Sequence, residues 1–119
     1  MKYMILIYNN PALYQSWTPQ QRDELFGEVG DIMKELTESG ELVATDGLAD
    51  AATATTVRVR DGVPALTDGP FAEAKEQLAG YLMLECDRDR AVEIATRWPD
   101  AKYFGMEVRE VLDFSGTEN

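Results

Sequence analysis

Gly80-Tyr81-Leu82-Met83-Leu84-Glu85-Cys86-Asp87 is the stretch that decides the fold. Tyr81 and Met83 point to one side of an extended chain, and Leu82 and Leu84 to the other. A strand that is apolar on both faces is buried on both. Asp87 is a helix cap, and the residues that follow run as a helix from Arg88 to Trp98, where Pro99 stops it. The first residues repeat the pattern. Lys2–Tyr8 alternates Ile5 and Ile7 against Met4 and Leu6, and Asn9-Asn10-Pro11 closes it. A loop is expected from there to Trp17.

Between these strands lies the firmest element. Thr18-Pro19-Gln20-Gln21 opens a helix: Thr18 caps it, Pro19 suits its first turn, and Gln21 reaches back as in a capping box. Leu25, Phe26, Val29, Ile32, Met33 and Leu36 form one apolar stripe, with Gly40 at the left-handed stop. Glu41–Leu48 reads as a strand. Thr55–Arg60 and Val63–Thr67 flank Asp61-Gly62, a two-residue hairpin signal. Asp68-Gly69-Pro70-Phe71 makes a turn and Ala72–Gln77 a polar link, and a last strand runs about Phe104–Leu112 before a frayed tail from Asp113 to Asn119. The order is β-α-β, hairpin, β-α-β. Setting the hairpin aside, this is an α+β fold of the ferredoxin-like, split βαβ kind in one domain spanning residues 1–119. Two helices cover one face of the four-stranded sheet. The two-faced strands require a cover for the second face, and a second copy of the chain is the simplest one, so a homodimer is expected.

Composition narrows the function classes. The chain has 119 residues, 45% of them hydrophobic, and 22 acidic side chains against 11 basic ones give a net charge of −11. Such a surface repels phosphate backbones and anionic lipid, which argues against nucleic acid and membranes as partners. Cys86 is the single cysteine, which suits a reducing, cytoplasmic setting. The apolar start is too short for a secretory signal or a membrane span. The chain contains no histidine, so imidazole bases, His-based triads and His-ligated zinc are excluded. No glycine-rich phosphate loop and no flavin or nicotinamide fingerprint is present, and a cofactor-free protein is expected.

The stretches Ala54-Thr55-Thr56-Val57-Arg58-Val59-Arg60-Asp61-Gly62 and Thr67-Asp68-Gly69-Pro70-Phe71-Ala72-Glu73-Ala74-Lys75-Glu76-Gln77-Leu78-Ala79-Gly80-Tyr81 closely resemble the DGPF family of the wider YCII-related group, and Met106-Glu107-Val108-Arg109 resembles that group's closing strand. The resemblance covers essentially the whole chain and implies a dimeric α+β barrel. Genes of the resembled family often neighbour those of extracytoplasmic-function sigma factors, and the resemblance thereby implies a regulatory link. Relatives with a proposed enzymatic role carry a histidine near the start of the first helix, paired with an aspartate. That position falls near Gln21 here, and glutamine is no general base, so the His–Asp mechanism does not transfer.

The candidate chemistry is small in extent. Asp68 either binds a ligand or removes a proton at a dimer cleft, with Lys75 or Arg58 adjusting its pKa, or it caps a turn in which Gly69 supplies an unusual φ and Phe71 anchors the loop in the core. Arg58 and Arg60, on one face of the hairpin, either grip an anionic group or form a solvated face. Glu107 and Arg109 share a face of their strand and are expected to pair as ions within the sheet. Tyr8 and Tyr81 either line a pocket or pack in the core with satisfied hydroxyls. Asp46, before Gly47, reads as turn chemistry, and Cys86 as a small core residue. Two functions are compatible with this set. One is a cofactor-free enzyme or ligand-binding protein with a small-molecule cleft in each barrel. The other is a regulatory module whose surface meets a protein partner such as a sigma factor.

Overall fold

Strands β1 (Lys2–Asn9) and β5 (Gln77–Glu85) are the two centre strands of a four-stranded antiparallel sheet, flanked by β2 (Leu42–Gly47) and β6 (Met106–Glu110), in the order β2-β5-β1-β6. This computed structural model describes residues 1–72 and 75–112; the expected tail from Asp113 onward lies outside them. The centre pair is in register as Met4 opposite Met83 and Leu6 opposite Tyr81, with an irregularity between Ile7 and Tyr8. On the other edge of β1, Leu6 faces Glu107 and Met4 faces Arg109.

Helices α2 (Pro19–Ser39) and α3 (Arg88–Arg97) cover one face. Ile5 and Ile7 of β1, Leu82 and Leu84 of β5, Ile32 and Leu36 of α2, and Ile94 and Ala95 of α3 close around Trp98 as one core. The ferredoxin-like reading is therefore correct, and so is the alternation behind it. The opposite face carries Met4, Leu6, Tyr8, Tyr81 and Met83, all half-buried. Part of the second face is thus apolar and open in the single chain.

Local chemistry sets the element ends as expected. The Thr18 hydroxyl accepts from the Gln21 amide and the Gln21 side chain accepts from the Thr18 amide, closing the capping box. Gly40 ends α2 with φ +78°. The Asp87 carboxylate accepts from the Arg90 amide at the start of α3. The loop expected before Trp17 is instead a short helix, α1 (Pro11–Gln15), capped by the Asn10 side chain with Pro11 in its first turn.

The hairpin is formed by β3 (Thr55–Arg60) and β4 (Val63–Asp68), a separate two-stranded sheet. Asp61 (φ +51°) and Gly62 (φ +76°) both take left-handed backbone, as a type I′ turn requires. This arm stands clear of the main sheet and leaves Val57, Val59, Val63 and Leu66 exposed. The radius of gyration, 16.4 Å, exceeds the about 13.5 Å usual for a domain of this length. The smallest extent is 18 Å, the thickness of one sheet and one helix layer.

Candidate functional site

The irregularity at Ile7/Tyr8 sits where β1 leaves the sheet, and Tyr8 lies on the face that the helices do not cover. Strand pairing brings β6 alongside, so the Tyr8 hydroxyl donates to the Glu107 carboxylate at 2.5 Å. This hydrogen bond, partial burial and the Glu107 charge all push the Tyr8 pKa up, and Arg109 opposes them weakly. Tyr8 is therefore a neutral donor at physiological pH, and Glu107 holds an acceptor oxygen beside it. A second pair of the same kind lies on this face across β5: the Tyr81 hydroxyl donates to Asp46 at 2.9 Å, and that bond raises the Tyr81 pKa.

Tyr8 stands between two grooves of about 750 Å³ each. The first is lined by Tyr8, Leu13, Lys75, Tyr103, Met106 and Glu107 among others. The second runs from Tyr8 past Leu48, Asp50 and Ala54 to Pro70 and Phe71. An apolar floor with a few polar groups at one end is the usual make-up of a small-molecule site. Among the described residues no group of three or more Cys, Asp or Glu side chains could hold a metal ion.

The sequence candidates divide between contributors and bystanders. Tyr8 and Lys75 line the same groove, as a ligand-binding reading requires. Tyr81 is on the same sheet face but is bound to Asp46, which sits within β2 and not in a turn, so its expected turn role is corrected. Asp68 lies at the exposed end of β4 and lines neither groove beside Tyr8, and its side chain makes no hydrogen bond or ion pair among the described residues. Neither Lys75 nor Arg58 forms an ion pair with it. Its turn is held without the aspartate side chain: the Gly69 amide donates to the Ala54 carbonyl and the Thr56 hydroxyl to the Gly69 carbonyl. Gly69 does take the expected positive φ, +99°.

Phe71 is 72% exposed, so the buried-anchor expectation is wrong for the single chain. The Arg58 guanidinium lies 4.9 Å from its ring centroid instead, a cation–π contact. The turn thus reaches the groove through Pro70 and Phe71, not through its aspartate. The expected ion pair of Glu107 with Arg109 is also absent among the described residues, because Glu107 takes the Tyr8 hydroxyl. Cys86 is half-buried, and burial pushes its thiol pKa up, in keeping with an unreactive core residue. Glu107 as a partner for Tyr8 was missed at the sequence level. The signal was available only through register, since Glu107 faces Leu6 once β6 pairs with β1.

The family model of the YCII-related domain matches residues 1–115. The chain belongs to the YCII-related family. An uncharacterised protein of Rhizobium meliloti (strain 1021) is 30% identical to it over 96 residues, covering 80% of this chain and 77% of that protein. The likeness reaches across both halves of this YCII-related sheet, but it brings no substrate with it. No helix is long and apolar enough to cross a membrane among the described residues.

Proposed function

We propose that this YCII-related protein binds a small molecule at the Tyr8–Glu107 corner, as a homodimer whose second copy covers the free sheet face. The observation that carries the reading is the Tyr8 hydroxyl held on Glu107 between two grooves of about 750 Å³. The ligand has an apolar body that rests on Leu13, Tyr103 and Met106, and a polar head that meets Tyr8, Glu107 and Lys75. In such a site Glu107 accepts a proton or hydrogen bond from the ligand while Tyr8 orients it. Support for the second copy comes from Met4, Leu6 and Met83 on the uncovered face and from the apolar residues exposed on the β3–β4 arm. A two-stranded hairpin is marginal by itself in water, which favours a cover for this one.

Thermal shift against a metabolite panel checks the site. A hit present at about a hundred times its Kd stabilises a protein by about 2.7 kcal/mol. The same hit is expected to lose about tenfold or more in affinity with Tyr8→Phe and with Glu107→Gln. Equal responses in the wild type and both variants would sink the site. Sedimentation checks the assembly, with a dimer expected at micromolar concentration. A stable species of 13.3 kDa, the mass of one chain, would overturn it.

A further inference from the structure

On the other face of the sheet, α2 does not pack along its whole length. Ile32 and Leu36, in its C-terminal half, are buried in the core, whereas Phe26 is 57% exposed and Leu25 and Val29 only half-buried. The N-terminal half thus leaves a groove of about 370 Å³ between the helix and the ends of β2 and β5. Its apolar walls include Ile7, Leu25, Val29, Met33 and Trp98, and Asp100 lines it from the turn after α3. This groove is separate from the Tyr8–Glu107 corner, which lies on the face away from the helices.

Asp100 is half-buried, and its carboxylate makes no hydrogen bond or ion pair among the described residues. The other aspartate lining the groove, Asp46, accepts from Tyr81. No cation of the neighbouring elements pairs with Asp100 among the described residues. Lys102 pairs with Glu28, Arg97 with Glu35 and Glu93, and Arg22 of α2 bonds the Gln15 carbonyl. Burial raises the Asp100 pKa from its ordinary value, as expected for a carboxylate without a cationic partner. A half-buried carboxylate is stabilised further by a donor that reaches it, and most by a cationic one. A ligand that brings its own ammonium on an apolar body satisfies both the carboxylate and the walls. The volume is in the range of small-molecule sites.

We infer that the groove under α2 is a binding site for small apolar primary amines, with the ammonium on Asp100 and the apolar part between Val29, Met33 and Trp98. The probes are hexylamine and 1-hexanol, which share a tail and differ in the head group, titrated by calorimetry in physiological salt. Salt at that level screens the general attraction of an acidic protein for cations. The wild type is expected to bind hexylamine at least about tenfold more tightly than 1-hexanol, and Asp100→Asn to erase that preference. Met33→Trp, which fills the groove and leaves Asp100 in place, is expected to weaken both probes. It also serves as the independent variant should Asp100→Asn not fold. Equal affinity for the two probes, an amine preference retained in Asp100→Asn, undiminished binding in Met33→Trp, or no binding by the wild type at millimolar probe would each overturn the site.

Discussion

Gly80 has no room for a side chain. A Cβ built on it would stand 2.8 Å from the Asp46 carbonyl oxygen and 3.3 Å from the Gly47 Cα, because β2 crosses close to β5 at this point. Both obstacles are backbone, so relief requires the edge strand to move. Gly80→Ala is therefore expected to cost about 1–3 kcal/mol in a urea titration. It should also disturb the neighbouring Asp46–Tyr81 hydrogen bond, visible as a drop in the raised Tyr81 pKa. An unchanged midpoint would mean that β2 yields freely. The residue scale is also where sequence reading was least complete. The turn at Gly69 was legible because its positive φ is a local requirement. The exposure of Phe71 was not, because burial depends on where the β3–β4 arm stands, which no local pattern encodes. Tyr8 was a candidate for its residue type and position, but its partner lies 99 residues away and becomes visible only with the strand order.

Elements were far more legible, because their ends are set by neighbours in sequence. The capping box at Thr18 and Gln21, the Gly40 stop, the Asp87 cap and the Asp61-Gly62 turn all appear as the residue types require. Helix α1 escaped for a physical reason. Its five residues are too few to show an apolar period, and Asn10-Pro11, a pair that ends a strand, also starts a helix. The cap of α2 is the element-scale prediction. Thr18→Ala removes the acceptor for the Gln21 amide and is expected to cost about 0.5–2 kcal/mol. Thr18→Ser keeps the oxygen and should recover most of the loss. If Thr18→Ser is as destabilised as Thr18→Ala, the hydroxyl is not what holds this helix end.

At the scale of the whole molecule, one charged cluster joins α3 to α2 and the link that follows it, about fifty residues earlier in the chain. Arg90 of α3 bonds Glu35 of α2 and Glu41, just before β2, and Arg97 forks onto both oxygens of Glu35. Those hydrogen bonds, Arg97 first and then Arg90, lower the Glu35 pKa from about 4.5 to about 2, and Arg90 lowers Glu41 as well. A carboxylate whose pKa is lower in the folded state binds fewer protons folded than unfolded. Its stabilisation is thus complete above the unfolded value and is lost as pH falls towards the folded one. The window runs from about 4.5 down to about 2. Global charge works in the opposite direction over part of the range. The chain carries −11 at pH 7 and reaches neutrality near pH 4.3, so acidification first relieves self-repulsion. The raw stability curve therefore mixes two effects of opposite sign. Subtracting the curve of Glu35→Gln separates them, because that variant changes one acidic group of 22 and leaves the repulsion almost intact. The difference between wild type and Glu35→Gln, measured by urea titration, is expected to be constant from pH 7 to about 5.5 and to shrink by more than half by pH 3. High salt should reduce it only modestly, since both guanidinium groups touch the carboxylate directly. A difference that stays flat through the acid range would show that Glu35 contributes by packing alone, and the cluster would then not be what ties α2 to α3.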